Sequence, residues 1–299
     1  MASTYHSGER AVQTRAGVPE QADRVGGGIR ATIPAAAADF LAMQPLVILA
    51  AVAGERIWAS PLFGRPGFAH ALDECTLRIA AAPVPGDPIA AGLDPRAAVG
   101  LLAIDPGARR RMRVNGSIRA RNQDGFEIAT SQVYANCPKY IQARDLDGVS
   151  ASPSIPLARR SAALTPAQAA WVEAADTFFI GTSHRDAGAD ASHRGGHPGF
   201  VRVDSPSTLV FPDYAGNTMF QTLGNLELDP RAGLLFLDFA RGATLQLSGH
   251  ARVDWDPAAA AAFPGAQRVV ALTIDAVVEI DAATPFRWRF ASFSPFNPR

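Results

Sequence analysis

Cysteine is scarce in this chain: Cys75 and Cys137 are its only two among 299 residues, too few for a disulfide framework. A reducing compartment follows, and the cytoplasm is the expected location. An excess of charge of either sign is missing as well. With 28 basic and 28 acidic residues, no global field favours nucleic acid or a membrane surface, and neither is expected as a partner. Long apolar runs are also lacking. The most apolar window, Pro45 to Ala53, falls far short of the roughly 20 residues needed to cross a bilayer. Several catalytic signatures are absent: no G-x-S-x-G elbow, no Walker loop, and no G-x-G-x-x-G behind a strand. The three glycines at Gly26 to Gly28 belong to the opening thirty residues, which are polar, hold no signal-peptide core, and are expected to form a flexible tail over residues 1–31.

What is present is a normal core-forming composition, 47% hydrophobic and 19% charged, enough for one large or two medium domains. The chain also repeats itself. ASPLFGRPGF from Ala59 and ASHRGGHPGF from Ala191 share six of ten residues at an offset of 132. The match extends upstream, from TIPAAAADFLAMQPLVILA to LTPAQAAWVEAADTFFIGT. Downstream, LDPRAAVGLLAID from Leu93 answers to LDPRAGLLFLD from Leu228. A period of this length marks a duplicated unit.

Each copy reads alike. A threonine near Pro34 and Pro166 caps a short helix in which proline is tolerated in the first turn. Short β-type runs bounded by Gly, Pro, Asn and Asp follow. An all-β-dominated fold with short helices is expected, built as two antiparallel barrels. The first spans 32–148, a Pro/Ser-rich linker 149–163, and the second 164–299. In RMRVNG and TLQLSG, Met112 and Val114 alternate with Arg113 and Asn115, and Leu245 and Leu247 with Gln246 and Ser248. One face therefore meets a core and the other meets solvent or a ligand.

The second copy carries four phrases in order: ASHRGGHPGF, FPDYAGNTMFQTLGN, DPRAGLLF and RGATLQLSG. It resembles the pyridoxamine 5′-phosphate oxidase-like, FMN-binding split-barrel family, in its flavin-nucleotide-binding branch. The first copy resembles the same fold and adds NCPKYIQAR at Asn136 to Arg144, as two-copy members do. The resemblance implies two tandem six-stranded split barrels, paired as an intrachain pseudo-dimer or also as a homodimer, with FMN at their interface. It implies flavin contacts from Ser192, His193, Arg194, Asn217, Thr218, Gln221, Thr222 and Thr244. Two departures from the branch pattern stand out: His193 replaces a proline, and Asn217-Thr218 replaces a basic pair at the phosphate. The second departure weakens a role in pyridoxal phosphate synthesis.

The residues themselves support an anion site in the second copy, where Arg194 sits beside two glycines and the stretch from Asp213 to Asn225 is rich in short polar side chains. A dianionic phosphate needs such donors. The first copy has Leu62 in place of Arg194 and a Pro/Ala/Gly stretch in place of the polar one, so its site is expected to be degenerate. Cys137, Lys139 and Tyr140 would cap the second-copy site, the lysine favouring a thiolate. Cys137 and His193 are the candidate catalytic groups, against plainer readings as a buried thiol and a core histidine. His184, His193 and His197 match no metal-ligand spacing, and no metal is expected. Trp171 and Trp288 read as core. The expected activity is FMN-dependent oxidoreduction of a small molecule with a separate electron donor or acceptor. The alternatives are a non-catalytic flavin binder or sensor, and a split barrel that binds haem or another cofactor.

Overall fold

The computed structural model describes residues 4–149, 155–185 and 187–298. Helices α1 (Ser7–Arg15) and α2 (Pro19–Gly26) lead into α3 (Ala35–Met43) and a first set of strands. These are β1 (Leu46–Ala53), β2 (Arg56–Phe63), β3 (Ala69–Asp73), β4 (Thr76–Ile79), β5 (Ala98–Asp105), β6 (Arg110–Asn122) and β7 (Gly125–Asn136). After β8 (Ala143–Val149) and β9 (Leu157–Ser161), helix α4 (Pro166–Ala174) opens the second copy. Its strands are β10 (Thr177–His184), β11 (Gly188–Gly195), β12 (Arg202–Ser205) and β13 (Thr208–Tyr214). Helix α5 (Gln221–Leu228), β14 (Arg231–Asp238), β15 (Ala243–Asp254), α6 (Pro257–Ala261), β16 (Ala266–Asp281) and β17 (Phe286–Ser292) complete it.

The first sheet runs β2-β1-β5-β6-β7-β4-β3 and the second β11-β10-β14-β15-β16-β13-β12. Exchanging each strand for its repeat partner turns one order into the other, so the duplication read from the sequence is a duplication of topology. Each sheet has seven strands on this path rather than six, because β2 and β11, the strands that carry the repeated ASxxxG phrase, belong to it. All ladders are antiparallel. The expected helices form in both copies, yet only the second is capped by its threonine. Thr165 accepts from the Gln168 N–H, and the Gln168 side chain accepts from the Thr165 N–H. In the first copy Pro34 itself is the N-cap, without a side-chain bond.

The apolar run of β1 is continuous because both of its faces are buried. Val47, Leu49 and Ala51 point into the first barrel, while Leu46, Ile48 and Ala50 join a separate cluster. In β14 the same alternation sends Ala232, Leu234 and Phe236 into the second barrel, and Leu235 and Leu237 into that shared cluster. The shared cluster is the seam between the copies. Each fully buried Leu, Ile or Phe there contributes about 1.5–3 kcal/mol. Gly100 and Gly233, equivalent positions on β5 and β14, let backbones cross at the seam. A Cβ at Gly100 would lie 2.5 Å from Asp190 Cα, and one at Gly233 2.5 Å from the Ile57 carbonyl. Trp288 lies in the seam, edge-on to Phe239 at 5.7 Å, and Trp171 packs against the second barrel. Finally β17, at the end of the second copy, pairs with β8, which leaves the first, so the copies also share a two-stranded sheet.

Two expectations about the chain outside the barrels need correction. The segment before residue 32 is not a loose tail. Val12 is buried in the second barrel's core, Gln13 Nε2 donates to the Met219 carbonyl at 3.0 Å, and His6 Nε2 lies 3.0 Å from Asn225 Oδ1. Glycines 8 and 224 allow α1 and α5 to touch backbone to backbone. A polar composition concealed this because much of the anchoring is hydrogen bonding to α5 rather than apolar burial. Part of the expected linker is structured too: β9 pairs with β16 through Ser161 opposite Val277. The stretch 150–154 lies outside the described residues.

The helix contact carries a pH dependence. Glu9 closes the α1 capping box by accepting from the His6 N–H at 2.9 Å, and burial, reinforced by Asp190, raises its carboxyl to about 7. From the ordinary 4.5 up to 7, the folded state holds more protons than the unfolded one, so stability falls as pH rises through that window. Glu9→Gln keeps the accepting oxygen without the charge. It should stabilise the protein by about 1–3 kcal/mol at pH 8 and change little at pH 4, as read by urea denaturation.

Candidate functional site

A polar cleft opens where the second copy's β11 and α5 meet the first copy's β6 and the 136–140 segment. Its walls include Arg111, Arg113, Cys137, Lys139, Tyr140, His193, Arg194, Asp213, Asn217, Thr218, Gln221 and Thr222. Its closed part holds about 90 Å³, and the cleft with its open mouth about 800 Å³. The closed part thus suits a phosphate-sized group, with anything larger lying toward the mouth.

Arg113 organises the floor. It is buried on β6 and donates to Asp190 Oδ1 at 3.0 Å, Tyr134 Oη at 3.1 Å, Gln221 Oε1 at 3.2 Å and Ser192 Oγ. The Ser192 hydroxyl also meets Thr222 Oγ1 at 2.8 Å. One guanidinium therefore ties β6 of the first copy to β11 and α5 of the second, balanced by the buried Asp190 carboxylate. Above it lies Arg111, with no carboxylate partner among the described residues. It contacts His193 Nδ1 at 2.7 Å and the Lys139 carbonyl at 3.4 Å. Burial, then Arg113 and Arg194, pull its guanidinium down to about 9, so an anion beside it would relieve an uncompensated cation.

Because a guanidinium can only donate, His193 Nδ1 accepts and the ring carries its hydrogen on Nε2. Burial and the surrounding arginines hold His193 well below its ordinary pKa, so it is neutral. Arg194 is half-buried and only loosely paired, 3.8 Å from Asp213 Oδ1. Burial raises the Asp213 carboxyl, while Arg194 and Arg268 oppose the rise. Six buried side-chain nitrogens without partners belong to residues that line the cleft: Arg111 Nε, Arg113 Nε, Arg194 Nε, His193 Nε2, Gln221 Nε2 and Asn136 Nδ2. Buried donors left unpaired are costly. Six of them around one cleft are the complement of a ligand rich in acceptors.

The backbone adds to this. Helix α5 starts at the cleft, and its first residues Gln221, Thr222 and Leu223 line it, with N–H groups free of intrahelical partners. Its N-cap Phe220, together with Thr218 and Tyr140, holds a left-handed conformation at φ 62°, 62° and 67°. These are three of the six non-glycine residues with positive φ among the described residues, and such strain concentrates at functional sites.

Of the residues named from the sequence, Lys139, Tyr140, Cys137, His193, Arg194, Asn217, Thr218, Gln221 and Thr222 all line the cleft. Tyr140 bridges the copies, donating to the Ala215 carbonyl at 2.9 Å with its ring 5.2 Å from Tyr214. The Lys139 ammonium lies 5.8 Å from the Phe296 ring centre. Asn217 caps its own turn by accepting from the Met219 N–H. The end of the polar stretch 213–225 is helical from Gln221. Ser192 sits one layer beneath the wall, completely buried in the Arg113 network.

Thr244 is the clear miss, for it does not line the cleft. Both β6 and β15 break register at equivalent points, between Asn115 and Gly116 and between Ser248 and Gly249. Counting back, Arg113 corresponds to Gln246 and Arg111 to Thr244. In a paired arrangement this strand serves the site of the opposite copy, so the cleft receives Arg111 and Arg113 from the first copy. Thr244 and Gln246 face the counterpart location. There Gln246 Nε2 reaches Ser60 Oγ at 2.6 Å and Asp87 Oδ1 at 3.2 Å, and Asp87 also accepts from Ser60 Oγ and the Ile89 N–H. A carboxylate of the chain itself stands at that location, without any arginine in these contacts. The alternation in R-M-R-V-N was the signal for Arg111 and Arg113. It identified an outward face without saying which copy's site that face would meet.

Compared with known proteins, residues 164–287 match the family model described as pyridoxamine 5′-phosphate oxidase. The resemblance read from the second copy thus holds over that stretch. No curated protein matches the chain. Among solved structures, a putative pyridoxamine 5′-phosphate oxidase from Lactobacillus delbrueckii is 21% identical, with a TM-score of 0.32, over 38% of this chain and 93% of its own. The FAD binding protein from Mycobacterium smegmatis is 14% identical, with a TM-score of 0.29, over 40% of this chain and 98% of its own. A protein of the pyridoxinephosphate oxidase family from Clostridium acetobutylicum, related to general stress protein 26, is 15% identical, with a TM-score of 0.28, over 40% and 89%.

Proposed function

We propose that the chain binds one FMN in the cleft between its two copies and uses it to oxidise or reduce a small molecule, with electrons exchanged through a separate donor or acceptor. The observation that carries this reading is the set of unpaired donors on Arg111, Arg113, Arg194, His193 and Gln221, residues that line a cleft headed by the N-terminus of α5. A phosphate dianion satisfies such a set, and the family match over residues 164–287 makes a flavin phosphate the fitting ligand. FMN would supply the hydride or electron chemistry. The chain's part is to hold the phosphate with its arginines, to keep water from the ring with Tyr140 and Tyr214, and to offer the His193 Nε2–H as a neutral hydrogen-bond donor. The pairing of the copies within one chain makes a monomer sufficient for one site. Two free cysteines accord with a cytoplasmic setting.

The test is selectivity for the phosphate. FMN should bind at least about 100-fold more tightly than riboflavin, because two or more charge-assisted bonds of about 1.5–3 kcal/mol each depend on it. Equal affinities would mean that the donors serve another ligand. Reduction of the bound flavin by NADH or NADPH, followed by turnover with an acceptor, separates an enzyme from a carrier.

A further inference from the structure

We propose that a second cavity, sharing a wall with the cleft, is the subsite for a small organic anion with a flat apolar body. That this anion is the substrate rests on the flavin reading above; that it binds does not. The cavity holds about 510 Å³ between α3 and the outer side of the β6–β7 pair, within the usual 300–1,000 Å³ of small-molecule sites. Ala37, Phe40 and Met112 give it an apolar floor, Arg30 and Arg110 stand on its rim, and no acidic side chain lines it among the described residues.

The two rim arginines have no ion pair among the described residues, and Arg110 lies over the Phe40 ring at 5.1 Å. This places a cation beside an aromatic face. Their neighbour Arg109 is engaged by the Ile141 carbonyl and by Ser292 and Phe293. Arg111 and Asn136 line both the cavity and the cleft, so one layer of side chains separates them. The Asn136 amide, with both its nitrogen and its oxygen buried and unpartnered, stands in that shared wall. Cations on the rim, apolar surface beneath and no opposing carboxylate select a carboxylate on an aromatic or branched body.

The experiment is calorimetric titration of the purified full chain with 2-naphthoate and, as an uncharged isostere, 2-naphthamide. Flavin content is read by absorbance on the same samples. The acid should bind at least tenfold more tightly than the amide. Ala37→Trp, which fills the cavity, should abolish binding of both. Arg110→Gln should weaken the acid about tenfold and leave the amide unchanged, and neither variant should alter flavin content. Equal binding of acid and amide, or binding of the acid undiminished by Ala37→Trp, overturns the proposal. Selective acid binding in a protein that neither holds nor takes up flavin would overturn the substrate role and the flavin reading together, while upholding the anion site.

Discussion

Arg194→Ala should release most of the flavin during purification while the chain remains folded, and Arg65→Ala should release none. Arg65 directly precedes the shared P-G-F phrase, at the place that His197 takes in the second copy, and is exposed, whereas Arg194 lines the cleft. Losing one charge-assisted contact of about 1.5–3 kcal/mol lowers affinity about 10- to 150-fold. Arg111→Ala should weaken FMN by a similar factor, with an opposite effect on the ligand-free fold. Because Arg111 is a half-buried cation without a carboxylate among the described residues, its removal should raise the ligand-free stability, whereas Arg194→Ala also deprives Asp213 of its neighbour. Retention of full flavin by both Arg111→Ala and Arg194→Ala would detach the cleft from phosphate binding.

Arg113→Ala should be the most destabilising single change at the site, costing about 3–5 kcal/mol, since it strands the Asp190 carboxylate in a dry interior. It should also reduce flavin content by freeing Gln221 and Ser192 from their shared anchor. Arg113→Met combined with Asp190→Leu removes both charges at similar volume, and pairs replaced in this way are often neutral in stability. The double variant should therefore recover much of the loss in urea denaturation and still fail to hold flavin. If the single and double variants are equally unstable, Arg113 acts through packing rather than through the ion pair.

The sequence disclosed the duplication, the β-rich class and most of the second-copy wall because these reside in contiguous phrases. His193 and Arg194 lie in one strand end, and Asn217 to Thr222 in one turn. What it concealed depends on partners distant in the chain. Arg113 meets Asp190 across 77 positions, and nothing local to R-M-R-V-N distinguishes a ligand-facing arginine from a solvated one. Thr244 went astray for the same reason: its phrase matches the family, but the strand that bears it faces the opposite copy's site. The N-terminal helices were missed because Gln13 and His6 hold them by hydrogen bonds to Met219 and Asn225, a kind of anchoring that hydropathy patterns do not register.

One of the two duplicated sites should bind a flavin phosphate, while the other holds the Asp87 carboxylate in its place. The measurement that tests this most directly is the absorbance spectrum and mass of the ligand released from purified, fully reconstituted protein, quantified per chain. The result expected is a two-banded yellow spectrum, the mass of FMN, and a ratio approaching one. A single intense Soret band, a mass without phosphate, or a reproducible ratio near two would contradict it, the last by showing that the Asp87 location still opens to a flavin.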